Sequence, residues 1–183
     1  MKKVLIVLVI LVQAFLYHAC DNGKKPAKST VLVNQSDVDE DAKEFMKAAS
    51  ISGIMEVELA EIAQQKATSP AVKEFAEMMI ADHTRIFNEL KKLATDKHIL
   101  LPIELEQEQT DQLNKLKALS GSEFDESYMR LMVRSHEQAV KDFETGARNR
   151  DRHVNKLASD KIETLKEHLS SSKSIFNKLI VNR

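Results

Sequence analysis

The sequence predicts an all-α protein built from four long helices and one short helix in a long connection. Apolar residues recur every three or four positions in four long segments after residue 36, which is the spacing that places them on one face of a helix. No segment alternates between apolar and polar residues over a useful length, so no strands are predicted. A chain of 183 residues is of the size expected for one such domain.

The first long helix is predicted from a start signal at Ser36 to about Gln65. Ser36 and Asp39 match a capping box, in which a hydroxyl caps the first turn while an acid lies at its positive end. Gly53 lies inside this helix and costs about 1 kcal/mol relative to alanine. A close approach of a neighbouring helix would compensate for that cost.

The remaining helices follow from similar boundary signals. Ser69-Pro70 combines an N-cap residue with proline at the first helical position, and the second long helix extends from there to about Lys97. An amphipathic stretch predicts the short helix at 104–119. The third long helix is predicted at 122–149 and the last at 151–181.

The connections between the helices predict their directions. The short loops at 67–69 and 150–151 make each flanking pair antiparallel neighbours. The connection at 98–121 is long enough to cross the length of a bundle, so the second and third long helices are predicted to run parallel. The predicted fold is therefore a ferritin-like four-helix bundle with a short extra helix in the long crossover.

Three histidines lie on or beside the apolar stripes of three different long helices. His83 takes the place of an apolar residue in the second helix, and His136 and His168 lie in the third and last helices. His83 and His136 are each about 14 residues from the start of their helices, and His168 is about 16 residues into its own. In the predicted topology the three side chains therefore converge within about one helical turn, or about 5 Å.

The first long helix offers carboxylates near the same depth. Glu58 shares a face with apolar residues and is predicted as a fourth ligand. Glu56 fits the level of the histidines better and the apolar stripe less well, so it remains an alternative to Glu58. Imidazole with carboxylate suits a divalent metal such as zinc, copper or iron. Asp82 and Glu137, each next to a histidine, are candidates for orienting the rings.

A buried polar layer is the alternative interpretation of the three histidines. Hydrogen-bonded to acids or hydroxyls, they would specify the packing of the helices without any ligand. The protein would then have a non-catalytic structural or interaction role. His98 and His153 lie at helix ends and His18 lies in the N-terminal segment, so none of these is assigned to the centre.

No sequence motif identifies an enzymatic activity. Di-iron proteins of the ferritin-like class place glutamate three residues before histidine on two helices. Here the residues three before the histidines are Ile80, Val133 and Leu165, so a carboxylate-bridged di-iron centre is not predicted. The sequence also offers no recognisable nucleophile–base pair or phosphate-binding loop.

The N-terminal segment has the pattern of an export signal. Lys2-Lys3 precedes an apolar run at 4–16, which is too short to span a bilayer comfortably, and Cys20 follows as the only cysteine. This arrangement resembles a bacterial lipoprotein signal, in which the peptidase cuts before the cysteine and the cysteine carries the lipid. Tyr17 and His18 depart from the small or aliphatic residues that are usual before the cysteine.

The lipoprotein resemblance implies three parts: a signal peptide at 1–19, a polar flexible tether at 20–36 and the helical bundle at 37–183. Lipidated Cys20 would hold the protein on a membrane of the bacterial cell envelope, facing the periplasm or the surface. The alternative is an ordinary signal peptide or an uncleaved anchor, with Cys20 incidental. A lone cysteine also excludes an intramolecular disulfide and a cysteine-based metal site.

The charge balance gives no support for nucleic-acid binding. Loss of Lys2 and Lys3 with the signal leaves 25 of the 27 basic residues against 28 acidic residues, a net charge of −3. Nucleic-acid-binding proteins usually show a basic excess that neutralises phosphates. The predicted partner is therefore a membrane rather than a nucleic acid.

Three stretches of the chain carry a recognisable combination of residues. They are EFMKAASISGIMEVELAEIAQQKATSPAVKEFAEMMIADHT, LSGSEFDESYMRLMVRSHEQAVKDFE and ETLKEHL, all within about residues 40–175. Together they resemble the bacterial family called domain of unknown function 4142. The matching positions are Glu58, Ser69-Pro70, Asp82-His83, Tyr128, His136-Glu137 and His168.

The family resemblance implies a ferritin-like fold and a secreted or lipoprotein-like setting, but no established activity. One position departs from the family pattern. Ser135 stands where an acid often precedes the histidine of the third long helix, so an orienting partner is expected to be missing there.

Overall fold

Five α-helices account for most of residues 39–181, which are the residues that the structure, a computed structural model, describes. The helices are α1 (Glu40–Lys66), α2 (Pro70–Asp96), α3 (Gln107–Lys117), α4 (Gly121–Gly146) and α5 (Arg152–Val181). No strand occurs within residues 39–181, as the absence of alternating segments predicts. The signal segment, Cys20, the tether and the capping serine Ser36 lie outside the described residues.

The two predicted hairpins are present, and polar contacts fix their relative direction. The start of α2 touches the start of α4, because Asp125 accepts hydrogen bonds from the backbone amides of Thr68 and Ser69, at 3.0 and 2.8 Å. At the opposite end, Lys97 just after α2 pairs with Asp151 just before α5. Helices α2 and α4 therefore run parallel, as the length of the connection between them predicts.

The cap of α2 comes from another helix rather than from the sequence beside it. Ser69 occupies the N-cap position before Pro70, but its side chain makes no capping hydrogen bond. The buried carboxylate of Asp125 satisfies the neighbouring amides instead and also accepts a hydrogen bond from the Thr68 hydroxyl at 2.6 Å. A local start signal is thus completed by a tertiary contact.

Helix α5 has a side-chain cap at the residue before it. Asp151 accepts hydrogen bonds from the amides of His153 and Val154, at 2.9 and 3.2 Å. Burial alone would raise the pKa of Asp151, but the hydrogen bond from Lys97 and those from the two amides outweigh burial and lower it. Asp151 is therefore ionised, which suits the positive end of a helix.

Two glycines in the long helices have different surroundings. Gly146 in α4 lies against Phe45 of α1, and a Cβ built at Gly146 would come within 2.6 Å of the Phe45 ring. Gly53, by contrast, has no atom within 4 Å of the corresponding position. The expectation that a close helix approach compensates for Gly53 is therefore wrong.

Helix boundaries differ from the predicted ones in the crossover. Helix α3 is shorter than the predicted 104–119, because residues 104–106 and 118–119 leave the helical path. Helix α4 begins at Gly121, whose positive φ of 61° lets the chain turn into the helix directly after Ser120. Among the described helices, none is long and apolar enough to cross a membrane.

Apolar side chains fill the bundle on both sides of one polar layer. Toward the start of α2, the core contains Leu59, Met79 and Met132. Toward its end, separate apolar clusters contain side chains such as Ile86 and Leu165. The residues between these clusters form the candidate site.

Candidate metal centre

Four long helices each bring one polar side chain to the middle of the bundle. They are Glu56 from α1, His83 from α2, His136 from α4 and His168 from α5. Their residues are only 2, 3, 0 and 1 % exposed, respectively. Each lies near the midpoint of its helix, and midpoints coincide in a bundle whether neighbouring helices are parallel or antiparallel. The predicted convergence of the three histidines on one level is what the structure contains.

The three imidazoles form a compact triangle. Their ring centroids are 5.3–5.5 Å apart. One nitrogen from each ring lies within 4.8 Å of the others. In particular, Nε2 of His83 is 3.3 Å from Nδ1 of His168. Nitrogens bound to one ion at 2.0–2.1 Å and tetrahedral angles are about 3.3 Å apart, so the His83–His168 separation already has that spacing.

Each imidazole uses its other nitrogen to contact an acceptor outside the triangle. Nδ1 of His83 lies 3.0 Å from Oε2 of Glu56, and Nε2 of His168 lies 3.0 Å from Oδ2 of Asp82. Nδ1 of His136 lies 2.9 Å from the carbonyl oxygen of Met132. In neutral rings, these acceptors would hold the hydrogens on the outer nitrogens and leave lone pairs on the inner ones.

The inner nitrogen of His136 is the least satisfied polar atom of the centre. Nε2 of His136 is fully buried and makes no hydrogen bond to any described residue. Its partner atom Nδ1 is already committed to Met132, so the free position on Nε2 is a lone pair. A buried acceptor without a partner costs free energy unless a proton donor or a metal ion fills the position.

Burial and charge together set the protonation of this layer. Burial alone would raise the pKa of Glu56. This effect is outweighed by interactions with the neighbouring side chains, which lower the pKa to about 2: the charge and hydrogen bond of His83, the charge of His136 and a hydrogen bond from Ser135. Burial lowers the pKa of His136, and it lowers that of His168 to about 4 against the opposing effect of Asp82. Glu56 is therefore ionised, and burial favours the neutral forms of His136 and His168, which are the protonation states that metal binding requires.

The structure corrects the choice between the two first-helix glutamates. Glu58, the predicted ligand, is exposed on the outer face of α1, whereas Glu56 is buried against His83. Two residues along a helix correspond to about 200° around its axis, so only one of the pair can face the bundle interior. The depth comparison indicated Glu56, but the apolar stripe of α1 was too broad to decide the question.

The predicted orienting residues have partly different roles. Asp82 contacts His168 on a neighbouring helix rather than the adjacent His83. Glu137 does not face the histidines and instead pairs with Lys173 at 2.7 Å. Ser135, expected to leave a partner missing, donates a hydrogen bond to Oε1 of Glu56. Ser135 therefore positions the carboxylate of the centre, a role that could not be predicted from the sequence.

The unassigned histidines of the described chain lie away from the centre. The side chain of His153 is 79 % exposed at the start of α5. His98 is exposed just after α2 and has the positive φ, 56°, of a residue that ends a helix. Neither contributes to the triangle, which agrees with their omission from the predicted site. Cys20, the predicted lipidation site, lies outside the described residues.

A buried tyrosine lies in the apolar layer next to the centre. Tyr128 is fully buried between Phe75 and Phe124, and its hydroxyl has no hydrogen-bond partner among the described residues. Burial and then the charge of Glu56 raise its pKa above the ordinary value. Tyr128 therefore stays protonated and neutral at all physiological pH values.

Comparisons with known proteins identify a family and a fold. The family model described as domain of unknown function (DUF4142) matches residues 27–175. A DUF305 fragment from Deinococcus radiodurans has a similar structure, with a TM-score of 0.69 and 14 % sequence identity over 76 % of this chain and 97 % of that chain. A DUF305 protein from Streptomyces coelicolor is also similar, with a TM-score of 0.66 and 14 % identity over 77 % and 96 % of the respective chains. At that level of identity the likeness concerns the fold alone. No curated protein matches the sequence.

Proposed function

This chain belongs to the DUF4142 family, and on that premise we propose that it binds one divalent metal ion through His83, His136 and His168. The observation that carries the proposal is the buried Nε2 of His136. No hydrogen-bond donor among the described residues contacts its lone pair, so the lone pair is available to bind a metal ion. The family itself is a domain of unknown function and supplies no activity. We assign the topology to the ferritin-like class on the parallel course of α2 and α4.

The donor set limits the metals that the centre would hold. Three neutral imidazoles suit zinc, copper or iron better than the hard cations magnesium and calcium, which prefer oxygen ligands. Glu56 and Asp82 would act as acceptors that orient His83 and His168 and increase the basicity of their inner nitrogens. A dication would also balance the buried charge of Glu56. Three protein ligands leave a fourth position for solvent or a further ligand.

One observation favours a second candidate function. Glu56, His83, His168 and Asp82 form a continuous chain of contacts at 3.0, 3.3 and 3.0 Å, which can be satisfied by hydrogen atoms alone. Such a chain would fix the packing of three helices in a structural or interaction protein. It leaves His136 without a partner for its inner nitrogen, and for that reason we favour the metal-binding function.

Metal titration of the protein purified without its first 20 residues tests the proposal. We expect one zinc ion to bind per chain and to raise the melting temperature, because a ligand that binds only the folded state stabilises it. His136→Ala should abolish that increase, whereas His153→Ala, the exposed control, should retain it. If His136→Ala lowers the melting temperature equally with and without zinc, and the parent shows no zinc-dependent shift, the histidines have only a packing role.

We also propose that the protein is held in the bacterial cell envelope by lipid on Cys20. Support comes from the basic start, the short apolar run and the single cysteine of the N-terminal segment. Cys20→Ser should block incorporation of labelled lipid and release the protein from the membrane fraction. A Cys20→Ser variant that remains in the membranes like the parent would refute the lipid anchor.

A further inference from the structure

Gly53 is a residue whose presence the packing of the bundle does not explain. It lies in the middle of α1, where glycine costs about 1 kcal/mol relative to alanine. Its φ is not positive, and no atom lies within 4 Å of where a Cβ would be. Neither backbone conformation nor a close helix approach therefore requires glycine at this position.

The space beside Gly53 continues into the bundle. A small cavity of about 20 Å³, roughly enough for one water molecule, is bounded by Gly53, Ser52 and Phe87 at its partly exposed side. Its inner wall includes Glu56 and His83, which are both buried. The cavity is thus lined both by partly exposed residues at Gly53 and by two buried residues of the centre.

A ligand of the histidines must pass between helices, because all three rings are buried. Another polar group that links the surface to the centre is Asp82, whose side chain is 26 % exposed and contacts His168. The guanidinium of Arg85 covers that carboxylate at 2.8 Å and repels an approaching cation. Among the residues that line the cavity at Gly53, by contrast, the only one that carries a formal charge is Glu56.

We propose that the metal ion exchanges with solvent through the opening at Gly53, where the absence of a side chain keeps a route to Glu56 and His83. The inference rests on the proposed function and adds to it the residue that controls access. In this view Gly53 keeps the route open at the expense of helix stability. The size of the residue at position 53 should then govern the rate of metal exchange and leave the affinity unchanged, since no metal ligand is altered.

The test measures zinc exchange in the full chain purified in detergent. The parent and its variants are loaded with zinc, and release to an excess of a chromogenic chelator is followed by stopped flow, with the affinity measured separately. Gly53→Leu should slow both release and uptake by about tenfold or more at unchanged affinity. Ser52→Leu, on the same wall of the cavity, should slow exchange in the same direction and serves if Gly53→Leu does not fold.

Three controls separate blocking of the route from other effects. Gly53→Ala removes the glycine but adds little volume. If it slows zinc exchange as much as Gly53→Leu does, the cause is a stiffer helix rather than a blocked route, and the inference is overturned. Ala48→Leu adds the same side chain at an exposed position of α1 and should exchange at the parent's rate. Arg85→Gln uncovers the carboxylate of Asp82. If zinc exchange is faster in Arg85→Gln than in the parent, and Gly53→Leu exchanges at the parent's rate, the inference is also overturned.

The proposed function and this inference fail in different ways. A parent protein that binds no zinc overturns the metal-binding function and the route with it. A parent that binds zinc while Gly53→Leu exchanges at the parent's rate overturns the route alone.

Discussion

Nε2 of His83 lies 3.3 Å from Nδ1 of His168, within hydrogen-bond distance, although the opposite nitrogen of each ring already faces a carboxylate. If both rings were neutral and donated to Glu56 and Asp82, two lone pairs would face each other. An additional proton between the two nitrogens would remove this conflict in the metal-free protein. A metal ion bound by the same two nitrogens would take the place of that proton.

Zinc binding is therefore expected to release about one proton per ion near neutral pH. The measurement is calorimetric titration in buffers with different ionisation enthalpies, since the dependence of the observed enthalpy on the buffer gives the number of protons. His168→Phe removes one of the two nitrogens and should eliminate this proton release. An observed enthalpy that is the same in all buffers would contradict the shared proton.

The two first-helix glutamates are expected to differ in their effect on metal affinity. Glu56→Gln removes the negative charge that orients His83, and loss of such an outer acceptor typically lowers metal affinity about 10- to 100-fold. Glu58→Gln, the same change on the exposed face of α1, should leave the affinity unchanged. Competition with a zinc indicator measures the zinc affinity of both variants. Equal effects in the two would contradict a role of Glu56 in the centre.

Acid is expected to destabilise the metal-free protein in two overlapping ranges. The pKa of His168 is lowered from 6.5 to about 4 and that of Glu56 from 4.5 to about 2 in the folded state. In both cases the unfolded chain binds more protons between the two values, so the free energy of unfolding falls as pH decreases. Between pH 6.5 and 4 the His168 contribution should be about 1–3 kcal/mol.

Urea unfolding at a series of pH values between 7 and 4, with chelator present, measures this loss. His168→Asn should flatten the decrease, because the ionisable group is gone. His153→Asn is the matched control, because the side chain of His153 is exposed. In this variant the free energy of unfolding should depend on pH as it does in the parent. The same slope in all three proteins would contradict the assignment.

Removal of the Asp125 carboxylate is expected to destabilise the start of α2. Asp125→Ala leaves the amides of Thr68 and Ser69 without their buried acceptor, which should cost about 2–4 kcal/mol. Asp142→Ala in the same helix removes an exposed carboxylate that only accepts a hydrogen bond from Gln138, and should cost less than about 0.5 kcal/mol. Urea unfolding compares the two, and a similar small effect for both would show that solvent replaces the Asp125 cap.

Gly53 and Gly146 are expected to respond in opposite ways to substitution by alanine. Gly53→Ala should increase the free energy of unfolding by about 0.5–1 kcal/mol, because helix propensity improves and no atom is in the way. Gly146→Ala should decrease it by about 1–3 kcal/mol, because the new Cβ meets the ring of Phe45. Thermal or urea unfolding provides the comparison. A loss of stability in Gly53→Ala would mean that the helix requires glycine for a reason other than packing.

The helices, their directions and the common level of the three histidines could all be predicted from the sequence. Those features depend on local periodicity, on start signals such as Ser69-Pro70 and on the lengths of the connections, all of which are properties of consecutive residues. With helices of similar length and His83, His136 and His168 near their midpoints, the level follows from helix rise alone.

The groups that complete the centre depend instead on how the helices pack against one another. Whether Glu56 or Glu58 faces inward depends on the rotation of α1 about its own axis, which packing against three other helices sets and a broad apolar stripe does not. The same holds for Ser135 beside Glu56, Asp125 at the start of α2 and the open space at Gly53. Each of these is a contact, or a missing contact, between residues distant in sequence, and its geometry exists only once the helices have packed.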